Sequence, residues 1–246
     1  MRIAEGLEML ELRWGQMVIH PTIAYDRDGW TLIDTGMPGF EKAIREAAKA
    51  AGLGDLPLRG VILTHQDADH IGSLRAFAEA APEGEGGKPT VYAHEEDRGA
   101  IDGDKPMIKL TPERKAQMLG QLPEELRQSF AEAFDRPNGP LVNETIADGD
   151  VLPIAGGLTV IHTPGHTPGH VSLYHESSKT LIAGDAMVAT EGVLQGPNPN
   201  ATPNMEEAIR SLGKFKAFDI RTVVCYHGGL ASGDVNARIA ELAGGA

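Results

Sequence analysis

The stretch Thr64-His65-Gln66-Asp67-Ala68-Asp69-His70, followed at once by Ile71-Gly72-Ser73-Leu74, constrains this chain more than any other. Two imidazoles and two carboxylates fall within six residues, between the apolar run Val61-Ile62-Leu63 and a helical pattern. Donors of those types at that density read as a metal site for zinc, iron or manganese. Thiolate donors are missing, because the single cysteine, Cys225, lies in the apolar run Thr222 to Tyr226 and reads as a small core residue. The competing reading is a solvated polar turn, so the rest of the chain has to supply further donors.

Hydrophobic periodicity gives an α/β chain. Met17 to His20, Thr22 to Tyr25 and Trp30 to Ile33 read as strands, with turn chemistry at Asp26 to Gly29. A helix is expected from Phe40 to Ala51, a buried strand at Val61 to Leu63, and a helix from Ile71 to Ala81. A loop over Pro82 to Pro89 leads to a strand at Thr90 to Ala93, and His94 to Asp97 opens a short helix. From about Asp102 to Pro140 the rhythm breaks into a helical insertion, with helix starts at Thr111-Pro112-Glu113 and Leu122-Pro123-Glu124. Its Met107, Ile108, Met118, Leu119, Leu122, Phe130 and Phe134 are expected mostly to pack it down, a few facing a pocket. Strands return at 143–146, 150–152, 158–162, 171–174, 180–183 and 222–226, with helices at 205–218 and 235–243.

With 246 residues, 41% of them hydrophobic, the chain can bury a sizeable core, and a single domain spanning 1–246 is expected. The formal net charge of −13 argues against nucleic acid or an anionic membrane as partner, since both need a basic footprint. A small-molecule substrate is the expected partner, and homodimerisation stays open. Met1 to Gly6 show no basic region leading into a long apolar stretch, so a cytoplasmic location is expected.

The polar residues at strand ends now form a series: Asp34, His65 to His70, His166, Asp185 and His227. Most adjoin glycine or proline, which lets the backbone turn tightly. If the strands share an edge, these side chains converge as a two-metal hydrolase requires, with cations about 3.5–4 Å apart. The same residues carry a resemblance. His65-Gln66-Asp67-Ala68-Asp69-His70, Thr163-Pro164-Gly165-His166-Thr167, Gly184-Asp185 and His227 stand in the order found in the metallo-β-lactamase superfamily.

That resemblance implies a four-layer αββα sandwich of two mixed β-sheets flanked by helices. It implies two divalent metal ions, zinc first, with iron or manganese as alternatives. His65 and His166 correspond to ligands of a first metal and Asp185 to the bridge. Asp69, His70 and His227 correspond to ligands of a second metal, Asp69 also orienting the nucleophilic hydroxide between the ions. Asp34 and His170 correspond to supporting positions that hold the ligands through hydrogen bonds. Asp67 departs from the pattern, since most relatives carry histidine there; a carboxylate can ligate the first metal but lowers its Lewis acidity, and the alternative is a mononuclear or weakly filled first site with Asp67 only supporting the ligands.

The expected activity is hydrolysis of an ester, thioester, lactone or β-lactam bond, with Asp69 and Asp185 at the chemistry. No Gly-x-Ser-x-Gly elbow is present to support covalent catalysis. Two other readings compete. One is iron-dependent redox chemistry of the flavodiiron kind, whose members carry a carboxylate at the position of Asp67 and a flavin domain for which no segment follows Val235. The other is metal binding without catalysis. Among remaining histidines, His20 is a candidate to face the pocket, His94 reads first as a polar helix start and second as a residue at the pocket rim, and His162 and His175 read as ordinary strand residues. Lys214, Lys216 and Arg221 are candidates to meet an anionic substrate, or else a solvated helix face.

Overall fold

The computed structural model describes residues 1–79, 87–121, 124–135 and 139–244. Its layering follows from the side-chain alternation of its strands. In Trp30–Ile33 and Leu58–Ile62 every residue except Arg59 is buried, as strands covered on both faces require. Trp30, Leu32, Val61 and the following Leu63 face one side, where Ile44 and Ala48 of helix Glu41–Ala50 and Leu74 and Phe77 of helix Leu74–Glu79 cover them. Ile33 and Ile62 face the other side and meet Val160, Leu173 and Ile182 of a second sheet. There the alternation repeats, with Ile161, Tyr174, Leu181 and Val223 turned outward onto Leu212, Phe215, Val235 and Ile239. The expected αββα sandwich is therefore the observed one.

The first sheet runs in the order Arg2–Ala4, Leu7–Met9, Thr22–Tyr25, Trp30–Ile33, Leu58–Ile62, Thr90–His94, Glu144–Ile146. It is antiparallel up to Trp30–Ile33 and parallel beyond it. The second runs Val151–Leu152, Leu158–His162, Val171–His175, Thr180–Gly184, Thr222–Cys225, Gly229–Ser232. Only Thr180–Gly184 and Thr222–Cys225 are parallel to each other in it. Parallel strands end at the same edge, so each sheet delivers its post-strand residues to one rim of the sandwich.

Several expected elements are corrected. The helix expected from Ile71 to Ala81 is two, Ala68–Ile71 and Leu74–Glu79. They part at Gly72, where a Cβ would stand 2.4–2.6 Å from Pro38 and the Met37 carbonyl carbon, and at Ser73, whose Oγ donates to Met37 O. The helix expected to reach Phe218 stops at Leu212 and tightens into the 3₁₀ segment Gly213–Ala217, which buries Phe215. The stretch after Ala186, for which no strand was expected, begins with a hairpin, Val188–Thr190 with Val193–Gln195, turning at Glu191 and Gly192, both at positive φ. Gly229–Ser232 is an unexpected edge strand.

The insertion holds helices Pro112–Gln121 and Glu124–Asp135, with Phe130 buried beside Met37 and Leu119 and Phe134 against them. The loop expected over Pro82–Gly86, the helix end at Ala81, and the helix start at Leu122–Pro123 lie outside the described residues.

Candidate metal centre

The site is built at the rim where both sheets end. After strand Trp30–Ile33 the backbone enters the left-handed region at Asp34, φ 63°, which Asp tolerates better than most residues. The turn buries its carboxylate, which accepts from Thr64 N, Thr64 Oγ1 and His70 Nδ1, each at 2.8 Å. Fixed through Nδ1, His70 presents Nε2 to the site. His65 leaves strand Leu58–Ile62 with Nδ1 3.0 Å from Thr64 Oγ1 and likewise aims Nε2 inward. The helix Ala68–Ile71 carries Asp69 and His70, so the organising motif is half loop and half helix.

The second sheet supplies the opposite wall. His166 lies on the 163–170 loop, with Nδ1 3.3 Å from Thr202 Oγ1. His170, fully buried, accepts the Asp185 N–H on Nε2 at 2.9 Å, which places its proton on Nδ1, 2.8 Å from Thr163 Oγ1. Burial first, then His65 and His166, push its pKa well down, so it is neutral. Both ring nitrogens are therefore engaged, and His170 holds Asp185 in place. Gly184 makes room for this contact: it sits at φ 54°, and a Cβ there would lie 2.7 Å from His170 Nε2.

Two donor groups result. His65, Asp67, His166 and Asp185 each offer one atom within 4.8 Å of the others, as do Asp69, His70 and His227. Asp67 Oδ2 is 3.4 Å from His65 Nε2 and 3.1 Å from His166 Nε2. Asp69 Oδ2 is 3.3 Å from His227 Nε2. Asp185 reaches both groups, with Oδ2 3.3 Å from His166 and 3.5 Å from His227, and Oδ1 3.3 Å from His70. His65 Nε2, His70 Nε2 and Asp185 Oδ1 are buried without a hydrogen-bond partner. Each such atom costs about 1–3 kcal/mol unless something satisfies it, and cations held by the two donor groups would satisfy all three.

Charge sharpens the arrangement. Burial alone would raise Asp67, yet His65, His166 and Lys109 hold its carboxyl well below the usual range. Asp185 is likewise held down against burial by His227, His70 and His166. Against burial, Asp34, Asp185 and Asp69 push His70 well up, and Asp185 and Asp69 push His227 up to about 10. His65, with burial its first cause, is pushed down. The raised histidines His70 and His227 thus face the lowered carboxylates Asp69 and Asp185.

Two residues were missed by sequence reasoning. Asp97, buried in the first turn of helix Glu95–Asp102, accepts from Gln66 N and Nε2, Thr167 Oγ1 and Gly169 N at 2.7–3.0 Å. It clamps the 64–70 loop to the 163–170 loop. Lys109, from the insertion, places Nζ 2.5 Å from Asp67 Oδ2 and 2.6 Å from His166 Nε2. Asp97 follows a strand end, as the candidate ligands do, but no local pattern marks Lys109.

Beside the donors lies a cavity of about 320 Å³ that exposes Asp67, Asp69, Asp185 and His227. Met107, Leu110, Arg114 and Met118 of the insertion, Asn198 and Ala201 of the later loop, and Met17 line it. Ile108 is exposed and lines a second cavity, of about 480 Å³, beside Pro164 and His166. Of the other histidine candidates, His20 does not face the cavity beside the donors: its Nδ1 is 3.1 Å from Tyr226 O, behind the site. His94 stacks on His162 at 4.0 Å and caps Glu96 N, also off the cavity lining. His175 is buried against Ser178 and Ala155 O. Lys214 pairs with Asp148, and neither it, Lys216 nor Arg221 lines the cavity. Cys225 is buried and its thiol pushed up by burial, so it offers no nucleophile. Among the described residues no helix is long and apolar enough to cross a membrane.

A family model described as the metallo-beta-lactamase superfamily matches residues 17–227. The probable metallo-hydrolase YflN of Bacillus subtilis (strain 168) is 29% identical over 213 residues, 81% of this chain and 75% of its own. The crystal structure of a metallo-beta-lactamase family protein from Thermus thermophilus superposes with TM-score 0.70 at 24% identity, covering 99% of this chain and 80% of that one. TTHA1623, solved in a di-iron-bound form, superposes with TM-score 0.63 at 21% identity, covering 94% and 98%.

Proposed function

The chain belongs to the metallo-β-lactamase superfamily, and from that premise we propose that it is a binuclear metal-dependent hydrolase. Its substrate is a small molecule with an ester, thioester, lactone or β-lactam bond. His65, Asp67, His166 and Asp185 would hold one cation, and Asp69, His70, His227 and Asp185 the other. The observation that carries the reading is the trio of buried, unpartnered atoms, His65 Nε2 in one donor group, His70 Nε2 in the other, and Oδ1 of Asp185, which reaches both. When bound, two divalent cations would supply an activated water and polarise the scissile carbonyl. The chain's own residues do the rest. Asp34 and Thr64 fix the ring of His70, and His170 fixes Asp185. Asp69, which lines the cavity, would accept a proton from the attacking water. Met17, Met107, Leu110 and Met118 give the substrate an apolar wall.

Zinc fits the imidazole-rich donors, and the extra carboxylate of Asp67 also suits iron or manganese; the di-iron form belongs to TTHA1623. The test pairs metal analysis with a panel of esters, thioesters, lactones and β-lactams, on wild type and Asp185→Asn. The variant is expected to lose one metal equivalent and at least about a hundredfold in kcat/KM. Full activity and metal content in Asp185→Asn would overturn the proposal, and an inert, metal-loaded wild type would favour binding without catalysis.

A further inference from the structure

The two donor groups are not equivalent, and the difference is Lys109. Its Nζ caps Asp67 Oδ2 at 2.5 Å and His166 Nε2 at 2.6 Å, and donates to Ala201 O at 3.0 Å. Both side chains of the ion pair are largely withdrawn from water, 12% exposed for Lys109 and 16% for Asp67. The two atoms it caps are those through which the first group would hold a cation. At the second group, Asp69 pairs with His70 and His227, and no lysine or arginine pairs with it among the described residues. The asymmetry coincides with Asp67: a neutral imidazole there would offer an ammonium a hydrogen-bond acceptor but no opposite charge, whereas a carboxylate supplies both.

We propose that Lys109 is a built-in counter-cation that competes with metal for the His65–Asp67–His166 group, so that the two sites load in order. The inference rests on the metal reading above. A lone pair on His166 Nε2 cannot serve an ammonium and a metal ion together. Two cations sharing Asp67 Oδ2 in a partly buried setting repel. Filling the Asp69–His70–His227 group leaves Lys109 untouched, while filling the other group requires its ammonium to leave. The four-carbon stem permits that move, the adjoining cavity gives it room, and Ala201 O gives it a partner along the way. The carboxylate at position 67 and the lysine of the insertion are thus one device, which makes occupancy of the first site a function of free metal.

The test is calorimetric titration of chelator-stripped protein with Zn²⁺, repeated with Co²⁺ and read by visible absorption. Wild type is expected to bind one ion tightly and a second about a hundredfold more weakly or worse. Lys109→Met and Lys109→Gln should both tighten the weaker event by about tenfold or more and leave the tighter one within about twofold. Circular dichroism confirms that each variant is folded, and two substitutions of different polarity separate loss of charge from loss of fold. Two equally tight events in wild type, or a weaker event unmoved in either folded variant, would overturn the inference while leaving the binuclear reading standing. A wild type that binds no metal would overturn both.

Discussion

Asp97 accepts four hydrogen bonds in a fully buried setting, so Asp97→Ala would strand four donors at once. We expect a loss of about 3–5 kcal/mol in urea unfolding of the metal-free protein, since breaking a buried charged network costs that much. His170→Ala is expected to act differently. It removes no candidate ligand, but frees Asp185 from its fixed place, and zinc affinity should fall about 10–100-fold by competition with a chelator. Unchanged affinity would show that Gly184 and the chain alone hold Asp185. At this scale the sequence was most legible where a polar residue follows an apolar strand, as at Asp34, Asp185 and His227. It was least legible at Lys109, because a lysine in a polar helical insertion reads as solvated until the chain's return path is known.

Elements were legible in proportion to how much their periodicity alone determines them. The strands Trp30–Ile33 and Leu158–His162 and the helix Glu41–Ala50 stand close to their expected bounds, since alternation and helical spacing are local. The break within the expected 71–81 helix was hidden because it arises from Met37 and Pro38, residues distant in sequence. Gly72→Ala tests this. The methyl would meet the Pro38 ring and the 37–38 backbone at 2.4–2.6 Å, so thermal unfolding should show a loss of about 1–3 kcal/mol, although alanine favours helix in isolation. A stabilised variant would mean that the 37–38 turn yields easily. The hairpin Val188–Thr190 with Val193–Gln195 escaped notice because Glu191-Gly192 is a weaker turn signal than Asn-Gly or Asp-Gly.

Across the whole molecule, the site couples pH to stability. In the metal-free protein His70 and His227 titrate above their ordinary value, His227 at about 10. Their contribution is complete below about pH 6.5 and is lost as pH rises through the folded values. His65 and His170 are pushed down, so theirs is complete above about pH 6.5 and is lost as pH falls. The depressed carboxylates of Asp67, Asp69 and Asp185 contribute above about pH 3.9 and fade as pH falls through their folded values. Metal-free Tm is therefore expected to peak near pH 6–7. Because zinc displaces the protons on His70 and His227, the gain in Tm on adding it should grow from pH 6 to pH 8.5. Calorimetry in buffers of different ionisation enthalpy should register proton release at pH 7, and none would mean the histidines are already neutral.

The sequence by itself determined the α/β class, the strand-end donors and, through residue order, the superfamily, because side-chain period and residue type at strand ends are local properties. Only the tertiary structure decided that the donors meet where two sheets end together, that Asp97 ties their loops, that His20 lies behind the site, and that Lys109 stands within the first donor group. Those are contacts between residues tens of positions apart, and no local pattern encodes which of them the packing of two sheets will bring together.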